Sequence, residues 1–142
     1  MSVAAADQFL VDTNVLSELA RKQPDAGVEN FFANTPRILV STMLFHEIRY
    51  GLDIAKPEQK AQLTAFITAM RGRFGPRAIP VTLEIAETAG HLRATEKTLG
   101  RVLTVTDSIM AATAMTSGAI LVTRNVKDFS GLALRVVNPF AG

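Results

Sequence analysis

With 142 residues, 48% of them hydrophobic, the chain suits one globular domain spanning residues 1–142 and is too apolar for intrinsic disorder. It has no cysteine and two histidines, His46 and His91, which excludes disulfides, cysteine-based zinc sites and thiol nucleophiles. A net charge of +2 is a mild excess that by itself only weakly favours an anionic partner such as nucleic acid.

The N-terminal stretch MSVAAADQFL has no basic segment and meets Asp7 before any long apolar run, so no signal peptide is expected. Apolar runs of strand length then fall at residues 8–11, 37–41, 78–81, 119–123 and 134–137. Between them, helical spacing covers 15–22, 25–35, 42–54, 57–74, 82–100 and 107–117. Pro57 suits a first helical position, while Gly100 and Gly118 suit stops. The last helix carries no charge after Asp107, the pattern of a buried helix, and is too polar and short to cross a bilayer. A cytoplasmic protein is expected. Strands alternating with helices predict an α/β sandwich with a mostly parallel sheet covered on both faces.

In such folds functional groups gather at the carboxyl ends of the strands. Asp12 stands there, directly after Phe9, Leu10 and Val11. Glu47 is flanked by Met43, Leu44, Phe45 and Ile48, and Asp107 opens the apolar helix. A buried carboxylate needs a cation, hydrogen bonds or water. Each acid also has a plainer reading: Asp12 and Asp107 as helix N-terminal acids, Glu47 as a surface acid. Gly51 follows Glu47 by one helical turn, and a helical glycine costs about 1 kcal/mol relative to alanine, which predicts close packing or backbone approach there. Thr123, Asn125 and Asp128 offer further oxygens after the fourth apolar run, or form a polar turn. Clustered carboxylates without cysteine or a histidine pair select Mg²⁺ or Mn²⁺.

Four blocks carry a resemblance: FLVDTNVLSEL with Asp12, STMLFHEIRYG with Glu47 and Gly51, TVTDSIMAATA with Asp107, and LVTRNVKDF. In order and spacing they resemble the PIN-domain family, specifically the VapC-type toxins of bacterial toxin–antitoxin pairs, over nearly the whole chain. The resemblance implies a PIN-like three-layer sandwich and a Mg²⁺- or Mn²⁺-dependent endoribonuclease that hydrolyses RNA phosphodiesters with metal-activated water. It implies Asp12, Glu47 and Asp107 as catalytic residues and metal ligands. Thr13 and Thr123 would bond those carboxylates. It further implies a VapB-type antitoxin inserting a C-terminal segment near the acids, and a homodimer. One departure is Asn125, where many members carry a fourth acid; Asp128 is offset from that place. Three firm carboxylates predict one well-held ion, with a second arriving alongside RNA phosphate.

His46 adjoins Glu47, but neighbouring helical residues do not face one way, which leaves His46 outside the expected site. Arg49 and Arg124 are candidates for phosphate contacts. The clusters Arg71, Arg73, Arg77 and Arg93, Lys97, Arg101 read first as solubilising helix faces. The competing reading is a catalytically inactive PIN-like protein-binding module, with Phe31 or Phe32 at an interface. A phosphoacceptor receiver would want paired acids at the first strand, which are missing, and no nucleotide fingerprint is present.

Overall fold

The computed structural model describes residues 7–142; the leader expectation for residues 1–6 lies outside them. Strand β1 (Phe9–Val11) runs into the short helix α1 (Thr13–Glu18) and then α2 (Ala26–Asn34). Strand β2 (Ile38–Leu39) leads to α3 (Thr42–Ile54) and α4 (Pro57–Phe74), which a turn of 3-10 helix ends. Two helices follow, α5 (Leu83–Thr98) and α6 (Val105–Ser117), before β3 (Ile120–Val122), a 3-10 turn (Val126–Phe129) and β4 (Val136–Val137).

All strand pairs are parallel, in the order β2-β1-β3-β4. Strand residues alternate faces. Phe9, Val11, Ile120 and Val122 therefore pack with Val15, Leu16, Val28, Leu44, Ile48 and Phe74 from α1 to α4. Leu10 and Leu121 point the other way, against Met110, Ala111 and Ala114 of α6. Helix α5 covers α6 in turn, with Ile85 and Ala89 on Ile109 and Ala112. This is the expected three-layer sandwich. The charge-free helix is buried as its composition predicts, from Ser108 to Ala114.

Two expectations change. The run at 78–81 is no strand: Ile79 makes only an isolated parallel bridge to Ser41. Pro80 has no amide hydrogen with which to extend a ladder there. Helix α6 starts ahead of Asp107, because Thr104 caps it by accepting the Asp107 amide at 3.1 Å. The acid thus sits in the first turn, where the helix dipole favours it.

Gly118 ends α6 at φ +64, and a Cβ placed on it meets nothing within 4 Å. The cost of Gly118→Ala is therefore backbone alone, about 1–2 kcal/mol. Urea unfolding should show that loss; an unchanged midpoint would contradict it.

Candidate acidic active site

The sheet order puts β1 beside β3 while β2 lies on the other flank of β1, so the chain reverses its direction of winding between β1 and β3. Asp12 and Thr123 stand at the carboxyl ends of those two strands, in the crevice where such folds bind ligands. The Asp12 amide closes the strand pair by donating to the Val122 carbonyl at 2.8 Å. Its side chain caps α1, accepting the Thr13 amide at 2.8 Å, so the plainer reading of Asp12 is met in part. It does more than cap, however. Buried Thr123 donates its hydroxyl to Asp12 Oδ2 at 2.8 Å, and Asn14 adds a bond at 3.3 Å. Burial pushes the Asp12 carboxyl above its ordinary pKa, against those hydrogen bonds.

Glu47 reaches the crevice from α3. Leu44, Ile48 and Leu52 bury one stripe of that helix, which leaves Glu47 at its edge, half-buried, accepting the Thr13 hydroxyl. Burial raises its pKa first, and the Asp12 charge raises it further. Asp107 comes from the first turn of α6. Burial raises its pKa too, and Asp12, Asp128 and Glu47 each add to the rise through like charge. The three expected acids are therefore close enough to repel one another, and exposed Asp128 lies within the same field. Asn125 is exposed; its amide donates to the Thr123 hydroxyl at 3.1 Å, and its carbonyl accepts the Asp128 amide, so this pair forms the expected polar turn as well.

His46, set outside the expected site, nevertheless borders the same open space as Glu47. An open cleft of about 410 Å³ is lined by Thr13, His46, Glu47, Tyr50 and Thr106. His46 and Glu47 both line this cleft, together with Thr106 of α6. The 100° between neighbouring helical residues separates their stripes without removing either from a wide cleft. Gly51 also departs from expectation: a Cβ there meets nothing within 4 Å, so no tight packing requires the glycine. It lines a groove with Thr13, Glu47, Leu63 and Phe66 instead.

Asn14 escaped notice in the sequence, although it sits in the first block. Its Oδ1 accepts the Arg124 amide at 3.1 Å, and its Nδ2 donates to Thr123 Oγ1 and Asp12 Oδ2, both at 3.3 Å. It ties the two strand ends together. A side chain that can accept and donate at once, two residues beyond a strand-end acid, was the available signal. Asn14→Ala should lower activity by about 10- to 100-fold, as loss of an outer-shell partner does. Initial rates at saturating divalent cation check this, and full activity would dismiss the tie.

Arg49 pairs with Asp53 at 3.2 Å, and Arg124 lies over the Phe140 ring at 4.6 Å. Neither guanidinium has a described contact with the acids. Phe32 is buried in the core, and half-buried Phe31 packs edge-on to both Phe32 and Phe9 while also lining an open apolar groove with Pro36, Val137 and Pro139. Arg73 covers Phe32 and Phe74, and Arg101 pairs with buried Glu96 at 2.7 Å.

Among the described residues, no three acid or histidine side chains form a ready cage for a cation. Asp12 spends its oxygens on Thr13, Thr123 and Asn14, and Glu47 turns one to Thr13. The donor chemistry nevertheless fits a hard divalent ion. Carboxylates whose charge is disfavoured by burial and by one another are stabilised by such an ion.

Known proteins agree with this architecture. The PIN domain family matches residues 9–133. The VapC ribonuclease Y4jK of Sinorhizobium fredii (strain NBRC 101917 / NGR234) is 31% identical over 138 residues, 93% of this chain and 97% of that protein. The crystal structure of FitAcB from Neisseria gonorrhoeae aligns with a TM-score of 0.85 at 26% identity, covering 93% of this chain and 98% of that one. A toxin–antitoxin complex from Klebsiella pneumoniae aligns with a TM-score of 0.72 at 28% identity, covering 94% and 98%. With more than half its length matched and a relative above 30% identity across nearly all of it, the chain belongs to the PIN-domain family and is of the VapC type.

Proposed function

We propose that Asp12, Glu47 and Asp107 are the carboxylates with which this VapC-type ribonuclease toxin hydrolyses RNA phosphodiesters. The observation that supports the reading is Asp12 at the carboxyl end of β1, with Glu47 and Asp107 near enough that, besides burial, the Asp12 charge raises the pKa of each. Asp12 and Asp107 would hold Mg²⁺ or Mn²⁺, with Glu47 as a further ligand. The ion supplies Lewis acidity toward the phosphate and lowers the pKa of water. Thr123 and Asn14 fix the Asp12 rotamer, so its oxygens are aimed before substrate arrives. Thr13 holds Glu47 Oε1, and Oε2 would either ligate the ion or orient the attacking water. Asn125 positions the Asp128 turn without adding charge.

The partner is proposed to be a VapB-type antitoxin. The groove beside Gly51, about 190 Å³, is acidic at Glu47 and apolar at Leu63 and Phe66. It suits a C-terminal segment that carries apolar side chains and a basic one reaching the acids. A second copy of the chain is proposed to cover Leu83, Leu99 and Val102, which are 77%, 58% and 94% exposed. The cytoplasm, where RNA is available, is the proposed compartment; among the described residues no helix is long and apolar enough to cross a membrane.

The test is cleavage of mixed structured RNA by toxin freed of antitoxin, in Mg²⁺, in Mn²⁺ and in EDTA. Fragments with either metal, their loss in EDTA and their return with excess cation are expected. Equal cutting in EDTA would remove the metal from the reading.

A further inference from the structure

The cleft beside Glu47 has a wall that the hydrolytic chemistry leaves unused. His46 and Tyr50 are four residues apart on α3, so their rings share a helix face. With Thr106 they line the cleft into which Glu47 opens. Tyr50 is 63% exposed, and His46 is exposed as well. Among the described residues the paired aromatic rings are Phe9, Phe31 and Phe32, so Tyr50 is not spent on packing of that kind. No lysine or arginine lines this cleft, and nearby Arg49 is held by Asp53. A phosphate would meet the Glu47 carboxylate here and no lysine or arginine. A planar, uncharged group would meet a ring, an imidazole and a hydroxyl.

We propose that Tyr50, with His46, stacks on an unpaired base next to the scissile phosphate and so helps select which base is held there. Nucleobases offer a π-face to aromatic side chains only when unstacked from their neighbours. The inference rests on the ribonuclease reading above and assigns its specificity to this wall.

The experiment compares wild type, Tyr50→Ala and Tyr50→Phe in steady-state cleavage. Binding is read by fluorescence anisotropy in an Asp107→Asn background, with a short single-stranded RNA and its duplex. Tyr50→Ala should weaken single-strand binding about tenfold and raise KM by a similar factor at nearly constant kcat. Tyr50→Phe should retain wild-type behaviour, because it keeps the ring. Melting temperatures should match, since the side chain is exposed. Wild-type binding by Tyr50→Ala, or equal wild-type affinity for duplex and single strand, would overturn the proposal. So would a sedimentation mass that halves in Tyr50→Ala with RNA affinity per chain intact, which would make this wall a contact between copies. If the wild type cuts nothing while Tyr50-dependent RNA binding persists, the ribonuclease reading fails and the stacking wall stands.

Discussion

Asp107→Asn should yield a folded protein, at least as stable as the wild type, that has lost more than about 100-fold of its RNA cleavage, beyond what an outer-shell partner costs. The reasoning starts from packing. Asp107 is half-buried, and Asp12, Asp128 and Glu47 all disfavour its charge. An asparagine keeps the shape and its main-chain amide still donates to Thr104, so the N-terminus of α6 survives. What it gives up is the helix-dipole interaction of a first-turn acid, about 0.3–1 kcal/mol. Removing the repulsion offsets that loss. Asp12 is a poorer probe of function, because it also caps α1 and satisfies buried Thr123. Asp12→Ala should therefore cost about 1–3 kcal/mol of stability along with activity. Thermal melts and initial rates on both variants separate the two roles. An Asp107→Asn protein that melts well below wild type, or cuts RNA normally, would count against the assignment.

Without divalent cations, the protein should gain stability as pH falls from neutrality into the carboxylate range. Asp12, Glu47 and Asp107 have folded pKa values above their ordinary 3.8, 4.5 and 3.8. Between the unfolded and folded values the native state binds more protons, so stability falls as pH rises through that window. Above it, the cost of the three charges is fully present. Glu96 acts oppositely: its bonds to Arg101 lower its pKa, so its contribution is present above its ordinary 4.5 and lost as pH falls further. The gain from Glu47 therefore lies on the higher-pH side of that loss, while those from Asp12 and Asp107 begin above their ordinary 3.8. Mg²⁺ or Mn²⁺ should raise the neutral-pH melting temperature and flatten the profile, since cation and proton compete for the same oxygens. Melts across pH with EDTA and with Mn²⁺ check this; a metal-free profile that climbs steadily toward neutral pH would contradict it.

The layers were legible because strand runs and amphipathic segments alternate, and each strand's alternate residues face a different helix layer. The run at 78–81 misled because its composition is right for a strand while Pro80 cannot donate to a ladder. The acids were legible as charges set among apolar residues. What a sequence shows poorly is the bonding around them. Asn14 joins Arg124 and Thr123 across more than a hundred residues, a tie visible only once β1 lies beside β3. His46 was set aside by a rule about helix faces that holds for narrow contacts and fails for an open cleft. Gly51 was read as a packing requirement, yet it borders a groove with space beside it.

The central claim is that these three carboxylates hold one divalent ion in the free protein, and Mn²⁺ binding measures it without catalysis. Titration of antitoxin-free wild type and Asp107→Asn, followed by calorimetry at neutral pH and low salt, reads site number and affinity together. A single site is expected in the wild type, weakened by at least about tenfold in the variant, given that even loss of a group bonded to a ligand costs that much. Equal affinity in both proteins, or no binding to a folded wild type, would contradict it.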